Sequence, residues 1–357
     1  MLSKYFSFWT KYVKYRNCLQ PIRNFNSLHE KHLFQIEKRI EALSGLTDDS
    51  FNETEYYFDN GLRKVYPYYF LYHMFCKINW VGEKLLDVIT NDYPMYSKEE
   101  YKMLIEDGII RVNKKNVSTD YILKSSDVIT HFVHRHEAPV LATPVKLLYK
   151  SNDIVVADKP PSIPVHPCGR YRHNSALFIL ARENNLENLY TIHRLDRLTS
   201  GLLIFGLNQA SAKNIINQMR DRQVQKEYLC RVEGNFMEGE TICKEPILMY
   251  RNAGICLVDP NGKKCLTKFI KLSFNGKSSV VLCKPLTGRT HQIRVHLQYL
   301  GHPIINDPLY NTDWYGPYKG KGCNYGKSKK ELIEDLVFKR ISRFWKTEPS
   351  EFSRKTG

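Results

Sequence analysis

The sequence predicts an α+β protein with a mixed, mostly antiparallel sheet, preceded by a smaller basic module. Strand-like apolar runs outnumber helical ones in the second half of the chain. Most neighbouring runs are joined by hairpin-length turns, as in "VKLLYKSNDIVVADKPP" and in "KKCLTKFIKLSFNGKSSVVLCKPL" with its Asn275-Gly276 turn. Helical periodicity is confined to short segments such as "NSALFILAREN", "SAKNIINQMRDR" and "THQIRVHLQYLG". A regular alternation of strand and crossover helix is missing, which argues against a parallel doubly wound sheet.

Composition narrows the partners. The chain has 357 residues, with 53 Lys and Arg against 37 Asp and Glu, a formal charge of +16, and 23 tyrosines. A basic, aromatic-rich surface attracts polyanions, and RNA leads because unstacked bases pack on aromatic rings. No apolar run reaches the roughly 18 residues that would signal a membrane span. The nine cysteines show no C-x-x-C spacing, which speaks against a disulfide framework or a thiolate zinc site and fits a reducing compartment. In "HFVHRHE", strand alternation puts His134 and His136 on one face and His131 on the other, so no metal site is expected there.

Taken in order, residues 1–30 hold basic residues and no acid before Glu30, with Lys4, Lys11 and Lys14 at helical spacing. That pattern reads as a mitochondrial transit peptide or as a basic arm; the second reading leaves the protein in cytoplasm or nucleus. Residues 31–80 form an aromatic-rich extension that begins with a short helix over 31–50. Residues 81–136 read as two helices, the second opened by the Ser97/Glu100 capping box and stopped at Gly108, followed by short strands around the basic turn of Lys114 and Lys115. The segment "IEDGIIRVN" in this block resembles the S-four-like RNA-binding module, and a generic helical hairpin is its competitor. "EAPVLATP", residues 137–144, reads as a linker. Residues 145–326 carry the α+β domain, and residues 327–357 a charged helix and tail with a second S-x-x-E start at Ser328.

Several chemistries are excluded by spacing. No G-x-G-x-x-G follows a strand, and "GKGCNYGKS" lacks P-loop spacing and a preceding apolar strand. What remains is a set of three polar clusters: "DKPPSIPVHPCGR", "HRLDRLTSGLLIF" and "KPLTGRTHQIRVH". On the helix of the third cluster, His291, Arg294 and Gln298 fall opposite Ile293, Leu297 and Leu300. In the second, Asp196 lies between Arg194 and Arg197, and Asp221 is the only other acid between Ile192 and Glu227. Flanking guanidinium groups favour an ionised carboxylate. Such a group serves equally as a nucleophile, a base, or an ion pair that fixes a loop.

The clusters are recognisable together. "HRLDRLTSGLL", "DKPPSIPVHP", "KEYLCRVEG" and "LTGRTHQIRVHLQYLGHPIINDPLY" resemble, in matching order, the motifs of the RluA-like family of RNA pseudouridine synthases. "YYFDNGLRKVYPYYF", "HRHEAPV" and "CKEPI" are similar to a eukaryotic subgroup that includes fungal tRNA position-32 synthases and metazoan RNA-pseudouridylate-synthase-domain proteins. The resemblance implies a pseudouridine synthase fold and an isomerase. It would act on RNA, with tRNA first and mRNA or rRNA as alternatives, without cofactor or metal and as a monomer. It implies that Asp196 is the essential carboxylate, that Tyr228 packs on the target base, that Arg294 pairs with the aspartate, and that Arg194 fills the space left by a flipped base. His193, Arg289, His291, Lys159, Lys114 and Lys115 are the further expected RNA contacts. The competing reading is a catalytically idle RNA-binding protein on the same fold.

Overall fold

The computed structural model describes residues 55–93 and 96–344. The basic arm of residues 1–30 and the helix expected over 31–50 lie outside the described residues. The chain divides into two compact units. One holds the chain up to Ala142 together with Pro167–Asn188; the other holds Thr143–His166 and the chain from Leu189 onward.

In the first unit, β1 (Tyr56–Asp59) and β2 (Leu62–Val65) form a hairpin on Asn60-Gly61, both at positive φ. This is the backbone that a two-residue hairpin turn demands. β3 (Tyr68–Phe75) follows, then α1 (Leu85–Asp92) and α2 (Lys98–Glu106). The Ser97 hydroxyl accepts the Glu100 N–H and the Glu100 carboxylate accepts the Ser97 N–H, so the expected capping box is formed. β4 (Ile110–Val112) and β5 (Val128–Arg135) complete a three-stranded sheet in the order β3-β5-β4. Leu85, Ile89, Tyr101, Ile105, Ile110 and Ile129 bury together between the helices and this sheet. The sheet therefore uses β3, from the aromatic extension, as well as the strands expected in the module.

The segment expected to be a linker is built into this unit. Val140–Leu141 form β6, paired antiparallel with β2. Glu137 accepts the backbone N–H groups of Arg172, His173 and Asn174, each at 2.9 Å, and the Tyr68 hydroxyl at 2.7 Å. One carboxylate thus anchors the stretch that leads into α3 (Ala176–Glu183). That is the physical reason why residues 167–188 cluster with the first unit rather than with the rest of 145–326.

In the second unit every strand pairing is antiparallel among the described residues. β7 (Lys146–Lys150), β8 (Ile154–Lys159), β9 (Tyr190–Thr191) and β10 (Gly201–Gly206) form one sheet in the order β7-β8-β10-β9. α4 (Gln209–Arg220) lies against β10. A Cβ on Gly206 would stand 2.8 Å from that of Ala212, so only glycine allows this approach. β11 (Tyr228–Glu233), β12 (Glu240–Cys243), β15 (Thr267–Phe274) and β16 (Ser278–Pro285) make a second sheet, order β11-β16-β15-β12. β13 (Ile247–Tyr250) and β14 (Ile255–Val258) form a separate ribbon.

α5 (Gln292–Tyr299) is wedged among these strands. Val295 and Leu297 are buried, but so are Gln292, His296 and Gln298, and of these Gln298 is the one the sequence pattern had placed opposite the apolar face. Each is satisfied: the Gln298 amide donates to the Tyr310 carbonyl at 2.9 Å, and the Gln292 amide donates to the Leu266 carbonyl at 3.0 Å. His296 Nδ1 lies 2.9 Å from the Thr267 hydroxyl. α6 (Lys329–Phe344) opens on the expected Ser328/Glu331 box. It buries Leu332 and Leu336 on the same core as Ile255, Val295 and Tyr310, at about 1.5–3 kcal/mol for each leucine.

Candidate active site

Asp196 sits in the loop between β9 and β10. Leu195 is buried beneath it, and the Thr199 N–H donates to the Asp196 carbonyl at 3.0 Å, which closes a tight turn. The chain leaves that turn through Gly201 at φ +126°, a conformation that L side chains rarely adopt. His193 fastens the loop to the sheet, since its Nε2 accepts the Ile204 N–H at 3.2 Å. Burial, with the Lys226 charge, lowers the His193 pKa and keeps the ring a neutral acceptor. The residue expected to touch RNA is thus engaged in holding the loop.

The carboxylate meets Arg294 from α5. Arg294 Nη1 donates to Asp196 Oδ2 at 3.1 Å across 98 residues of chain. The same guanidinium gives its Nε and Nη2 to Asp307 at 2.6 and 2.8 Å, a bidentate fork, and its carbon lies 4.8 Å from the centre of the Tyr310 ring. Burial works against the Arg294 charge, but the Asp307 hydrogen bonds and charge outweigh it and raise the pKa further. Asp307 is nearly buried. Desolvation pushes it up, yet Arg294 and the N–H groups of Leu309 and Tyr310 hold it below the usual carboxylate range. No hydrogen bond from the described residues reaches Asp196 Oδ1, so the pair leaves one carboxylate oxygen presented.

Tyr228, the first residue of β11, is half-buried. Burial first, and the Asp196 charge second, raise its phenol pKa, so it stays protonated at neutral pH. His291 caps α5 from a left-handed conformation, φ 57° and ψ 19°, a strain on the order of 1–3 kcal/mol for a non-glycine residue. Its Nε2 is 3.8 Å from Asp196 Oδ2 and its Nδ1 is 2.6 Å from the Tyr310 hydroxyl. Burial lowers its pKa to about 4, against the opposing pull of Asp196. It is a neutral ring at the centre of the site, not a cation offered to phosphate.

Lys159 requires a correction. It is completely buried, and its ammonium donates to the carbonyls of Pro160 at 2.9 Å, Ile163 at 2.8 Å and Arg197 at 3.2 Å. It cannot reach RNA. Pro160, Pro161 and Pro164 supply no N–H to this loop, and the lysine serves the carbonyls instead. It thereby ties the first polar cluster to the Asp196 turn. Arg194 and Arg289 are exposed, Arg289 with Nε 3.3 Å from the Lys264 carbonyl, and Arg194 close enough for its charge to depress His166 after burial has done so. Lys114 and Lys115 are exposed in the Asn113–Lys115 turn of the first unit. Among the described residues no group of His, Cys, Asp and Glu side chains could hold a metal, and no helix is long and apolar enough to cross a membrane.

Sequence reasoning missed Asp307 and Tyr310. A signal existed: Asp307 is the only acid between Asp259 and Asp313, in a stretch crowded with lysine and arginine. The same isolation singled out Asp196.

Residues 153–299 match the family model described as RNA pseudouridylate synthase. The chain is 53% identical to mouse Pseudouridylate synthase RPUSD2 over 84% of its own length and 55% of that protein's. It is 42% identical to tRNA pseudouridine(32) synthase, mitochondrial, of Saccharomyces cerevisiae, covering 84% of this chain and 64% of the relative. With RNA pseudouridine synthase 7 of Oryza sativa subsp. japonica it shares 40% identity over 77% of this chain and 72% of that one. The chain spans only about half the length of the mouse relative. Similarity that extends across most of the rice protein, around motifs whose side chains converge on one carboxylate, is inherited rather than coincidental: this chain belongs to the RNA pseudouridine synthase family, as its RluA-like motifs imply.

Proposed function

We propose that this protein isomerises uridine to pseudouridine within RNA, with tRNA as the substrate and Asp196 as the reacting group. In that reaction the glycosidic C–N bond breaks, the uracil turns, and C5 bonds to C1′ of the ribose; the C5 proton leaves and N1 gains one. The balance needs no cofactor. The observation that carries the reading is the Asp196 carboxylate, held through one oxygen by the buried Arg294–Asp307 pair with its other oxygen open. An ionised, oriented carboxylate is what attack at C1′, attack at C6 and a glycal route each require. Tyr228, protonated beside it, supplies a ring face for the base and a hydroxyl for proton handling. Arg194, exposed at the neighbouring turn, is suited to stack where a flipped base has left its duplex.

The +16 charge supports an RNA substrate. The S-four-like reading of residues 81–136 adds Lys114 and Lys115 as phosphate contacts, and exposed Arg289 adds another. A mitochondrial site of action is proposed from the acid-poor arm of residues 1–30 and from the name of the yeast relative. The test is tritium release from RNA labelled at uridine C5. Release by the wild type and none by Asp196→Asn is expected. Undiminished release by that variant would refute the site, and no release from any cellular RNA would favour an idle RNA-binding protein.

A further inference from the structure

We propose that His291 is a positioning residue for Asp196: a neutral imidazole whose Nε2–H is aimed at the carboxylate because Tyr310 occupies Nδ1. The inference rests on the reading of Asp196 as the reacting group. It begins at a backbone donor. The Cys256 N–H gives its proton to the Tyr310 hydroxyl at 2.8 Å, and Tyr310 is fully buried. The tyrosine keeps its own proton, since burial raises its pKa well above the ordinary value. With one donor already on the phenol oxygen, the phenol proton goes to the remaining neighbour, His291 Nδ1 at 2.6 Å. A neutral ring that accepts at Nδ1 carries its hydrogen on Nε2.

That hydrogen faces Asp196 Oδ2 at 3.8 Å, the same oxygen that takes Arg294. The gap is longer than a hydrogen bond, and catalytic hydrogen bonds commonly tighten only once substrate is in place. Two donors on Oδ2 turn Oδ1 toward the open side of the site. Neutrality is the useful property. The charged groups around the ring are Asp196 and Asp307 on one side of the balance, Arg294 and Arg194 on the other. A third cation there would draw down the basicity of the carboxylate, whereas a neutral N–H fixes its direction. The left-handed backbone at His291 is then what delivers the ring between Tyr310 and Asp196.

The experiment has a spectroscopic arm and a kinetic arm, both on the full chain. In ¹⁵N–¹H spectra of ring-labelled protein at pH 7, with the His291 signals assigned by their loss in His291→Gln, Nδ1 is expected bare and Nε2 protonated. Tyr310→Phe, which leaves the His291 backbone untouched, is expected to populate the other tautomer. His291→Leu is expected to lower kcat on the order of 100-fold, with KM for RNA nearly unchanged. His291→Gln, which carries the same backbone strain but keeps a donor at similar reach, is expected to recover most of that loss. A protonated Nδ1 in the wild type, or His291→Leu turning over at the wild-type rate, overturns the proposal. Retained tritium release in Asp196→Asn instead overturns the proposed function, and leaves the tautomer found in the wild type as it stands.

Discussion

Replacing Asp307 by Asn tests whether Arg294 is held for Asp196 or merely near it. The wild-type pair is buried, with side-chain exposures of 13% for Arg294 and 4% for Asp307. Removing one charge from such a pair costs about 3–5 kcal/mol when nothing replaces it. Asparagine keeps an oxygen for the Leu309 and Tyr310 N–H groups and for one arm of the fork, so about 2–3 kcal/mol is expected at pH 7. The guanidinium also loses the planar clamp that aims Nη1 at Asp196, and kcat should fall on the order of 100-fold while KM changes little. Urea unfolding followed through Trp314, which packs on the core of the second unit, reads the stability. The sign with pH is fixed. The folded Asp307 pKa lies below the ordinary aspartate value of 3.8, so its contribution is present above that pH and is lost as pH falls through the folded value. The gap between wild type and variant should therefore narrow below about pH 3.8. In a double-mutant cycle with Arg294→Lys the coupling should reach about 1 kcal/mol or more. A gap under about 0.5 kcal/mol, or one that is as wide in acid as at neutrality, would refute the reasoning.

Other perturbations probe the rest of the framework. Burial pulls the Lys159 ammonium from 10.5 down to about 8, so between those values the unfolded chain binds the extra proton and wild-type stability rises with pH, by up to about 3 kcal/mol. Lys159→Met should lack that rise, and a wild-type minus variant difference that is flat from pH 8 to pH 10.5 would defeat the assignment. Arg194→Ala should leave stability within about 0.5 kcal/mol; its loss of turnover should be larger on a structured RNA than on an oligonucleotide with an unpaired target, and equal losses would remove it from base flipping. Glu137→Gln leaves three backbone N–H groups and the Tyr68 hydroxyl to share fewer acceptors, at about 2–3 kcal/mol. Limited proteolysis should then cut within residues 167–188 faster, and an unchanged cleavage pattern would contradict the anchor.

What the sequence made legible follows from what each signal measures. Strand runs, hairpin turns and capping boxes are local, and they recur in the structure where the residues are described: the Ser97 and Ser328 boxes close, and β15 and β16 pair across Asn275-Gly276. The pairing of Asp196 with Arg294 was legible only because the motifs were recognised as a set, since nothing local links positions 98 residues apart. Lys159 was misread for the converse reason. A lysine is a surface residue by default, and only the loop's shortage of N–H groups calls its ammonium inward. Glu137 was passed over because a carboxylate at the head of a proline-containing stretch looks like solvent-facing linker, whereas its acceptors are spent on residues 35 to 37 positions later.

The two isolated acids of the second unit show how far such reading can be pushed. Asp196 and Asp307 each stand alone in long cationic stretches, and the structure puts both on one guanidinium. An acid that is rare in its neighbourhood is the one the surrounding charges must organise around, because each cation lacks another anion to choose. The division of labour between them follows from burial. Asp307, more deeply buried and served by two backbone N–H groups, is the fixed counterion. Asp196, more open and fed by one Arg294 nitrogen, keeps an oxygen without a hydrogen bond among the described residues, the one the proposed function gives to the substrate. Exchanging these roles would require moving the N–H groups of residues 309 and 310, which belong to the backbone that also places Tyr310 under His291. Under the proposed function, the choice of reacting carboxylate is thus made through the loop that carries neither of the residues expected to do the chemistry.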